Sequence, residues 1–429
     1  MPRHGLYWLG QDLRLHDNPV LYDAQHQLDS LTFVYIHYKS QRLEPYFNSA
    51  PSQIKQAFIH DCLVDLDHQL GVYQQHILVR NEPPLLAIDK LIHSCAITDV
   101  FWTRQFGWDE FEIWSLLQKR YPNIKFHLYE SYTLYQQHQL TNVLSDFPQS
   151  YSKFVKQLAA TIESPLPPPE SLPPPVQQRE HNLYPSEQAL IVSGGERQAL
   201  KHTETYFSSS LPAHYKDVRN ALMGFENSTK LSFWLSTGCL SVKQAYTTVE
   251  YYEAQHTRND STLWIKKELL WREFFQWYAF HYQTKLFHFS GIQQHKPLTS
   301  YYASRFQMWV DGTTPYPIVN ACMHELKETG YLSNRGRQIV ASCFVHELQL
   351  DWRYGANYFE QQLIDYDVAS NWGNWQYLAG VGADPRGHRQ FNLEHQVNTY
   401  DPDGAYIQKW HGKAQCFPLD TTDAADWPQ

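Results

Sequence analysis

Little in this chain points to redox-active sulfur or to a bound metal. Its 429 residues include six cysteines, at Cys62, Cys95, Cys239, Cys322, Cys343 and Cys416. No two share a CxxC spacing, which excludes a zinc-ribbon or iron–sulfur signature. They read as reduced, buried thiols, as in a cytoplasmic protein. No run of 18 apolar residues occurs anywhere, and the opening MPRHGLYWLGQDLRLHDN carries charge from its first turns. Neither a membrane span nor a signal peptide is expected, so no membrane partner is. GxGxxG and GxxxxGK[ST] are both missing, so no standard phosphate loop announces a nucleotide. Positive charge is also short, with 35 Lys and Arg against 44 Asp and Glu and a net charge of -9. Any nucleic-acid contact must therefore come from a local basic patch on an acidic body.

Aromatic residues, by contrast, are abundant. They make up 15% of the chain, with 14 Trp and 29 Tyr. Most read as core, and the remainder as surfaces that stack on a planar cofactor or pass electrons.

The first 130 residues alternate short apolar runs with helical stretches. The strand candidates are 6–9, 31–36, 77–79, 97–102 and 125–129. Between them, Ile54, Phe58, Cys62 and Leu66 repeat at helical spacing. Asn18-Pro19 is a cap followed by a first-turn proline, so a helix is expected to start there. Strands alternating with helices imply an α/β, doubly wound parallel sheet. Residues 131–200 form an interdomain linker, with the proline-dense SPLPPPESLPPPV at 164–176 reading as extended chain. From 201 to 429 helical periodicity dominates, which predicts an all-α second domain.

Four segments of that domain carry chemistry. In STKLSFWLSTGCLS, hydroxyls and a lysine precede an apolar helical run, Gly238 can end it, and Ser241 with Gln244 can box the next helix. Ser228, Thr229, Lys230, Leu231 and Ser232 could cradle a pyrophosphate there, although the segment also reads as two ordinary caps. In STLWIKKELLWREFFQWYAFHY, Trp264, Glu268, Trp271 and Phe275 share one helical face. A carboxylate between two indoles on a core-facing stripe suggests a polar cavity lined by rings, with Arg272 pairing Glu268 at i+4. In GYLSNRGRQIVAS, Asn334, Arg335, Arg337 and Gln338 crowd a helix start, where the dipole disfavours cations, so anionic partners are expected. In LIDYDVASNWGNWQYL, Asp365, Asp367, Asn371, Trp375 and Tyr377 gather acids, an amide and rings. No His or Cys stands at ligand spacing there, so a metal is not expected.

The order of these segments resembles the DNA photolyase and cryptochrome family over about residues 5 to 411. SNRGRQ, DYDVASNWGNW, GVGADPRGHRQFN and YDPDGAYIQKW are similar to DASH-type members in particular. The resemblance implies an antenna-binding first domain and a helical domain holding FAD. Tyr215 and the 228–232 loop would then hold the FAD ribose and phosphates, with Glu268, Arg272 and Asn334 also against the cofactor. Arg337 would pair with Asp365 beside the ring system, Asp367 would meet its polar edge, and Asn371 would face its N5. The lesion pocket would be lined by Glu268, Trp271, Asn334, Arg335, Gln338 and Tyr377. The implied substrate is DNA carrying cyclobutane pyrimidine dimers, with single strands favoured because the dimer must leave the stack. Trp375 and Trp352 would be the inner and middle tryptophans of an electron relay. The family's outer tryptophan, about ten residues before Trp309, has no counterpart in HKPLTSYYASRF, where Tyr301 or Tyr302 stands nearest. The antenna implied is methenyltetrahydrofolate, with Glu110 as its acidic contact. Glu110 and Asp109 also read simply as acids opening a helix.

Two other classes compete with a monomeric repair lyase. One is a blue-light receptor signalling through a partner. The short stretch after Trp410 leaves no room for an output tail, which favours the enzyme. The other is a nucleic-acid-binding flavoprotein without catalysis. A (6-4) photolyase is disfavoured, because the pocket segments hold no paired histidines.

Overall fold

The computed structural model describes residues 2–37, 50–177, 183–383 and 389–415. Cys416 and part of GVGADPRGHRQFN lie outside them. All five strand candidates form, as β1 (His4–Leu9), β2 (Ser30–Ile36), β3 (Ile77–Arg80), β4 (Asp99–Thr103) and β5 (Lys125–Tyr129). They make one parallel sheet in the order β3-β2-β1-β4-β5. Asn18 caps the helix Pro19–Gln27 by accepting from the Leu21 N–H. Ala57, Phe58, Cys62, Leu66 and Leu70 of the helix Gln53–Gly71 are buried, and the Phe58 ring lies 6.3 Å from that of Phe233 in the helical half. Several aromatics are core, as expected: Trp8 stacks on Trp102 at 4.7 Å, and Trp102 on Trp114 at 5.0 Å.

The proline-dense segment is extended, as the sequence suggested, and lies against the sheet domain. Proline removes N–H donors but keeps every carbonyl, and the sheet domain uses those carbonyls. Tyr73 Oη donates to Pro169 O at 2.8 Å, Gln75 Nε2 to Pro173 O at 2.6 Å, and Leu31 N to Pro174 O at 2.9 Å. The segment is a strap laced to the first domain.

From Glu196 onward the described chain has helices and no named strand. The two halves interlock through the loop after β1. Arg14 is buried, and its guanidinium donates to the carbonyls of His16, Asp17, Ser131 and Gly238. Gly238, at φ +71°, ends the helix Ser232–Thr237 as the sequence suggested. A Cβ there would lie 1.9 Å from the Gln11 carbonyl, so only glycine fits. Ser241 then caps the next helix, accepting from Lys243 N and Gln244 N, while its hydroxyl donates to Asp17.

Glu273 is a second interlock. It is fully buried on the long helix Asp260–Tyr282 and accepts from Leu134 N, Tyr135 N and Trp277 Nε1 at 2.7, 3.1 and 2.7 Å. Burial pushes its carboxyl up to about 7. Its contribution to stability is therefore complete in acid and is lost as pH rises through about 7. Glu273→Ala leaves these donors without partners, and is expected to cost roughly 3–5 kcal/mol in urea unfolding. Glu273→Gln is expected to cost less and to flatten the fall in stability between the usual carboxylate range and neutrality.

Candidate functional site

A cavity of about 480 Å³ opens in the helical domain. Ligand pockets are commonly roughly 300–1,000 Å³. Its walls come from the loop 228–232, the helices Asp260–Tyr282, Asn334–Ser342 and Val368–Leu378, and the turn at 363–367. The helical stripe read from sequence lies on it: Trp264, Glu268, Trp271 and Phe275 all line the cavity.

Glu268 does not pair with Arg272. Its Oε1 accepts from Arg219 Nη1 at 2.7 Å and from Trp264 Nε1 at 2.8 Å. Its Oε2 stays available at the mouth. Arg272 lines the cavity, as expected, but spends its guanidinium on the interdomain seam, donating to Tyr132 O at 2.7 Å and lying over the Tyr132 ring at 4.0 Å. Buried main-chain carbonyls need donors, and a planar guanidinium supplies several at once. Trp271 stacks on Tyr151 at 3.9 Å and 9°. Tyr151 comes from the 131–200 region, and nothing in its local sequence marks it for this role.

Arg337 and Asp365 meet as expected. Arg337 Nη2 donates to both carboxylate oxygens, at 2.8 and 2.7 Å, and the Asp365 side chain is 1% exposed. Asp367 is more committed than expected. Its oxygens accept from Tyr132 Oη, Gln276 Nε2 and Ser370 N. Little accepting capacity remains for a ligand edge. The carboxylate caps and fixes the helix that carries Asn371 and Trp375. Asn371 Nδ2 donates to Ala356 O at 2.9 Å, which leaves its oxygen for the cavity. The opposite amide orientation would set two acceptors together.

In the loop 228–232, Lys230 holds φ +54°, a conformation rare for a side-chain-bearing residue. Its Nζ donates to Ser228 Oγ at 3.1 Å and Tyr331 Oη at 2.9 Å. Burial lowers its pKa to about 8. Tyr215, Ser228, Thr229, Leu231, Ser232, Asn334, Gln338 and Tyr377 also line the cavity. Arg335 is not among the lining residues. Its guanidinium lies over Tyr400 at 4.7 Å and Phe391 at 5.6 Å, because cations stack well on aromatic faces. Trp352 is likewise outside the lining, fully buried behind it. Glu110 lies in the first domain, where its carboxylate folds back on Gly107 at the start of the helix Trp108–Arg120.

Three cations cluster beside the cavity, two of them paired, Lys216 with Asp260 and Arg219 with Glu268, each at 2.7 Å. Lys216, Arg219 and Lys267 gather over the Trp264 ring, at 5.6, 4.7 and 4.1 Å. The lining contains no histidine among the described residues. No group of three His, Cys, Asp or Glu side chains among them could hold a metal ion. None of their helices is long and apolar enough to cross a membrane.

Comparison with known proteins agrees with this geometry. The family model "DNA photolyase" matches residues 5–172, and "FAD binding domain of DNA photolyase" matches 264–427. The chain belongs to the photolyase and cryptochrome family. Its relatives include a Cryptochrome DASH of Vibrio parahaemolyticus, 46% identical over 99% of this chain and 97% of that one. A Cryptochrome DASH of Idiomarina loihiensis is 44% identical over 99% and 96%. Among solved structures, a Synechocystis cryptochrome superposes with a TM-score of 0.87 at 34% identity, covering 96% of this chain and 89% of that one.

The cavity fits the FAD that this family's domain binds. Gln338 Oε1 lies in its wall, buried and with no protein partner, and such atoms are normally satisfied by something bound. The cationic Lys230 at one wall and the Arg337–Asp365 pair with Asn371 at another suit a molecule with an anionic linker and a polar ring.

Proposed function

We propose that the chain is a deoxyribodipyrimidine photolyase-type lyase that splits cyclobutane pyrimidine dimers in DNA under blue light, single strands favoured, acting as a cytoplasmic monomer. The observation that carries this is Glu268. A carboxylate with one oxygen fixed and one open stands between two indoles at the mouth of a cofactor-sized cavity.

FAD held there would supply one-electron chemistry, with an electron lent to the dimer under light and then returned. The chain's own residues do the rest. Tyr215 and Ser228, Thr229, Lys230, Leu231 and Ser232 hold the ribose and phosphates. Arg337, Asp365 and Asn371 hold and tune the ring. Trp271 and Tyr377 flank the flipped dimer, Glu268 Oε2 accepts a ring N–H of the dimer and fixes its place, and Arg219, held on Oε1, offsets the negative charge that develops. Asn334 and Gln338 complete its polar contacts. Lys216, Arg219 and Lys267 attract the backbone phosphates. Trp375 and Trp352 pass electrons that keep the cofactor reduced. An antenna of methenyltetrahydrofolate near Glu110 belongs to the same reading, and acid extraction of the purified protein should release a pterin beside FAD.

The test is repair of an oligothymidylate carrying cyclobutane dimers. FAD-loaded, reduced protein is lit with blue light, and thymine absorbance is followed against a dark control. Light-dependent recovery supports the reading, and its absence on both single strands and duplex refutes it.

Lys230 gives a separate expectation. The pyrophosphate prefers the charged amine, whose pKa in the open cavity is about 8. FAD affinity should hold below that pH and weaken as pH rises through it. Fluorescence titration of FAD-stripped protein checks this, and Lys230→Met should bind more weakly at neutral pH and lose the slope.

A further inference from the structure

His202 does not line the cavity, yet it holds a loop that does. Its Nε2 lies 2.8 Å from Thr229 O, in the loop 228–232. A carbonyl oxygen can only accept, so Nε2 carries the hydrogen and donates it. Burial lowers the pKa of the ring and favours the neutral imidazole. The ring packs among Trp234 at 4.9 Å, Phe225 at 5.9 Å and Tyr206 at 6.4 Å. At the start of the same helix, Glu196–Phe207, the buried Glu196 accepts from Leu15 N and His16 N at 2.8 and 2.9 Å. Arg197 beside it pairs with Asp65 at 2.5 Å. The helix is thus pinned to the sheet domain, and His202 grips the loop from a firm base.

The peptide joining Thr229 to Lys230 is a rigid plane, with its C=O and N–H on opposite sides. With the carbonyl turned to His202, the Lys230 N–H points the other way. Thr229 and Lys230 line the cavity and His202 does not, so that other way is the cavity side. The N–H meets no acceptor among the described residues, although Lys230 is only 6% exposed. Buried N–H groups are nearly always paired, so this one is expected to meet something bound. The same peptide leads into the φ of +54° at Lys230, a conformation that a lysine keeps only where its surroundings hold it.

We infer that His202 is a positioning residue of the phosphate cradle: by holding Thr229 O, it aims the Lys230 N–H at the anionic linker of FAD. This rests on the reading that the loop 228–232 holds that linker. His202 acts through the peptide alone. The imidazole sets the donor before the cofactor arrives, so binding need not turn a peptide plane and hold it turned.

The experiment strips FAD from the full chain and titrates it back by flavin fluorescence. His202→Phe keeps a flat ring against Trp234 but has no donor. It should bind FAD roughly tenfold more weakly, the loss expected for one hydrogen bond to a charged group. His202→Gln offers an amide N–H at similar reach, and should recover most of that loss. In FAD-loaded protein, the phosphorus resonances of the linker should move in His202→Phe and return in His202→Gln, while the flavin absorption spectrum holds. A role in packing alone predicts unmoved phosphorus lines. If His202→Phe does not fold, wild type carries the test: the Lys230 amide proton of nitrogen-labelled protein should move downfield and exchange more slowly when FAD binds. Full FAD affinity in His202→Phe, His202→Gln as weak as His202→Phe, or a Lys230 amide indifferent to FAD overturns the inference. Lys230→Met separates it from the reading beneath. If that variant binds FAD as tightly as wild type at neutral pH, the linker lies elsewhere, and the cradle falls together with the role of His202. If Lys230→Met binds weakly and His202→Phe binds fully, the role of His202 falls alone.

Discussion

Glu268→Ala protein, loaded with FAD and chemically reduced, is expected to repair thymine dimers roughly tenfold more slowly than wild type, a loss of about 1.4 kcal/mol in the light-driven step. A hydrogen bond to a charged group contributes about 1.5–3 kcal/mol when it is dry. The Glu268 side chain is 37% exposed, so solvent screens it and the lower end applies. The loss should fall on turnover rather than on binding. Removing the carboxylate frees Arg219, 2.7 Å away in the native site, to meet a DNA phosphate. Binding of a dimer-bearing oligonucleotide in the dark should therefore hold or tighten while repair slows. Glu268→Gln keeps the shape and one acceptor, and should fall between. Equal repair by Glu268→Ala and wild type would remove this residue from the reaction.

Arg337→Ala is expected to do more damage, and of a different kind. Asp365 is 1% exposed and has Arg337 on both of its oxygens. Stripping the partner from a buried carboxylate costs roughly 3–5 kcal/mol, against about 0–1 kcal/mol for an exposed pair. The variant should melt well below wild type and lose FAD on gel filtration. Asp365→Asn in the same chain removes the stranded charge and should recover much of the stability without restoring flavin retention. A urea-unfolding double-mutant cycle separates the two effects.

The contrast between these pairs shows what the sequence could and could not reveal. The strands of the sheet and the stripe Trp264, Glu268, Trp271 and Phe275 were legible, because periodicity fixes which side chains share a face. Arg337 with Asp365 came through resemblance, not spacing, since 28 residues separate them. The Glu268 to Arg272 pairing was a local reading that lost to longer-range needs. Arg272 serves the carbonyl of Tyr132, 140 residues away, and Glu268 takes Arg219, 49 residues away. Asp367 looked free in the sequence because its partner Tyr132 lies 235 residues upstream. Arg335 was expected in the pocket through the resemblance, and lies instead on the ring of Tyr400. In each miss a side chain found a partner that only the folded chain brings near.

The loop after β1, with Arg14 reaching Gly238 O and Ser131 O, bears on how such a chain can be divided or recombined. A hinge needs a seam where few bonds cross. Here a buried guanidinium stitches the first half to the second, and the backbone passes Gly238 too closely for any side chain. Neither half carries a finished surface of its own on that side. Grafting the helical half onto another sheet domain would leave open carbonyls and a mismatched contour, even with the whole cofactor cavity transplanted. The two halves are thus tied to be expressed and engineered as one body.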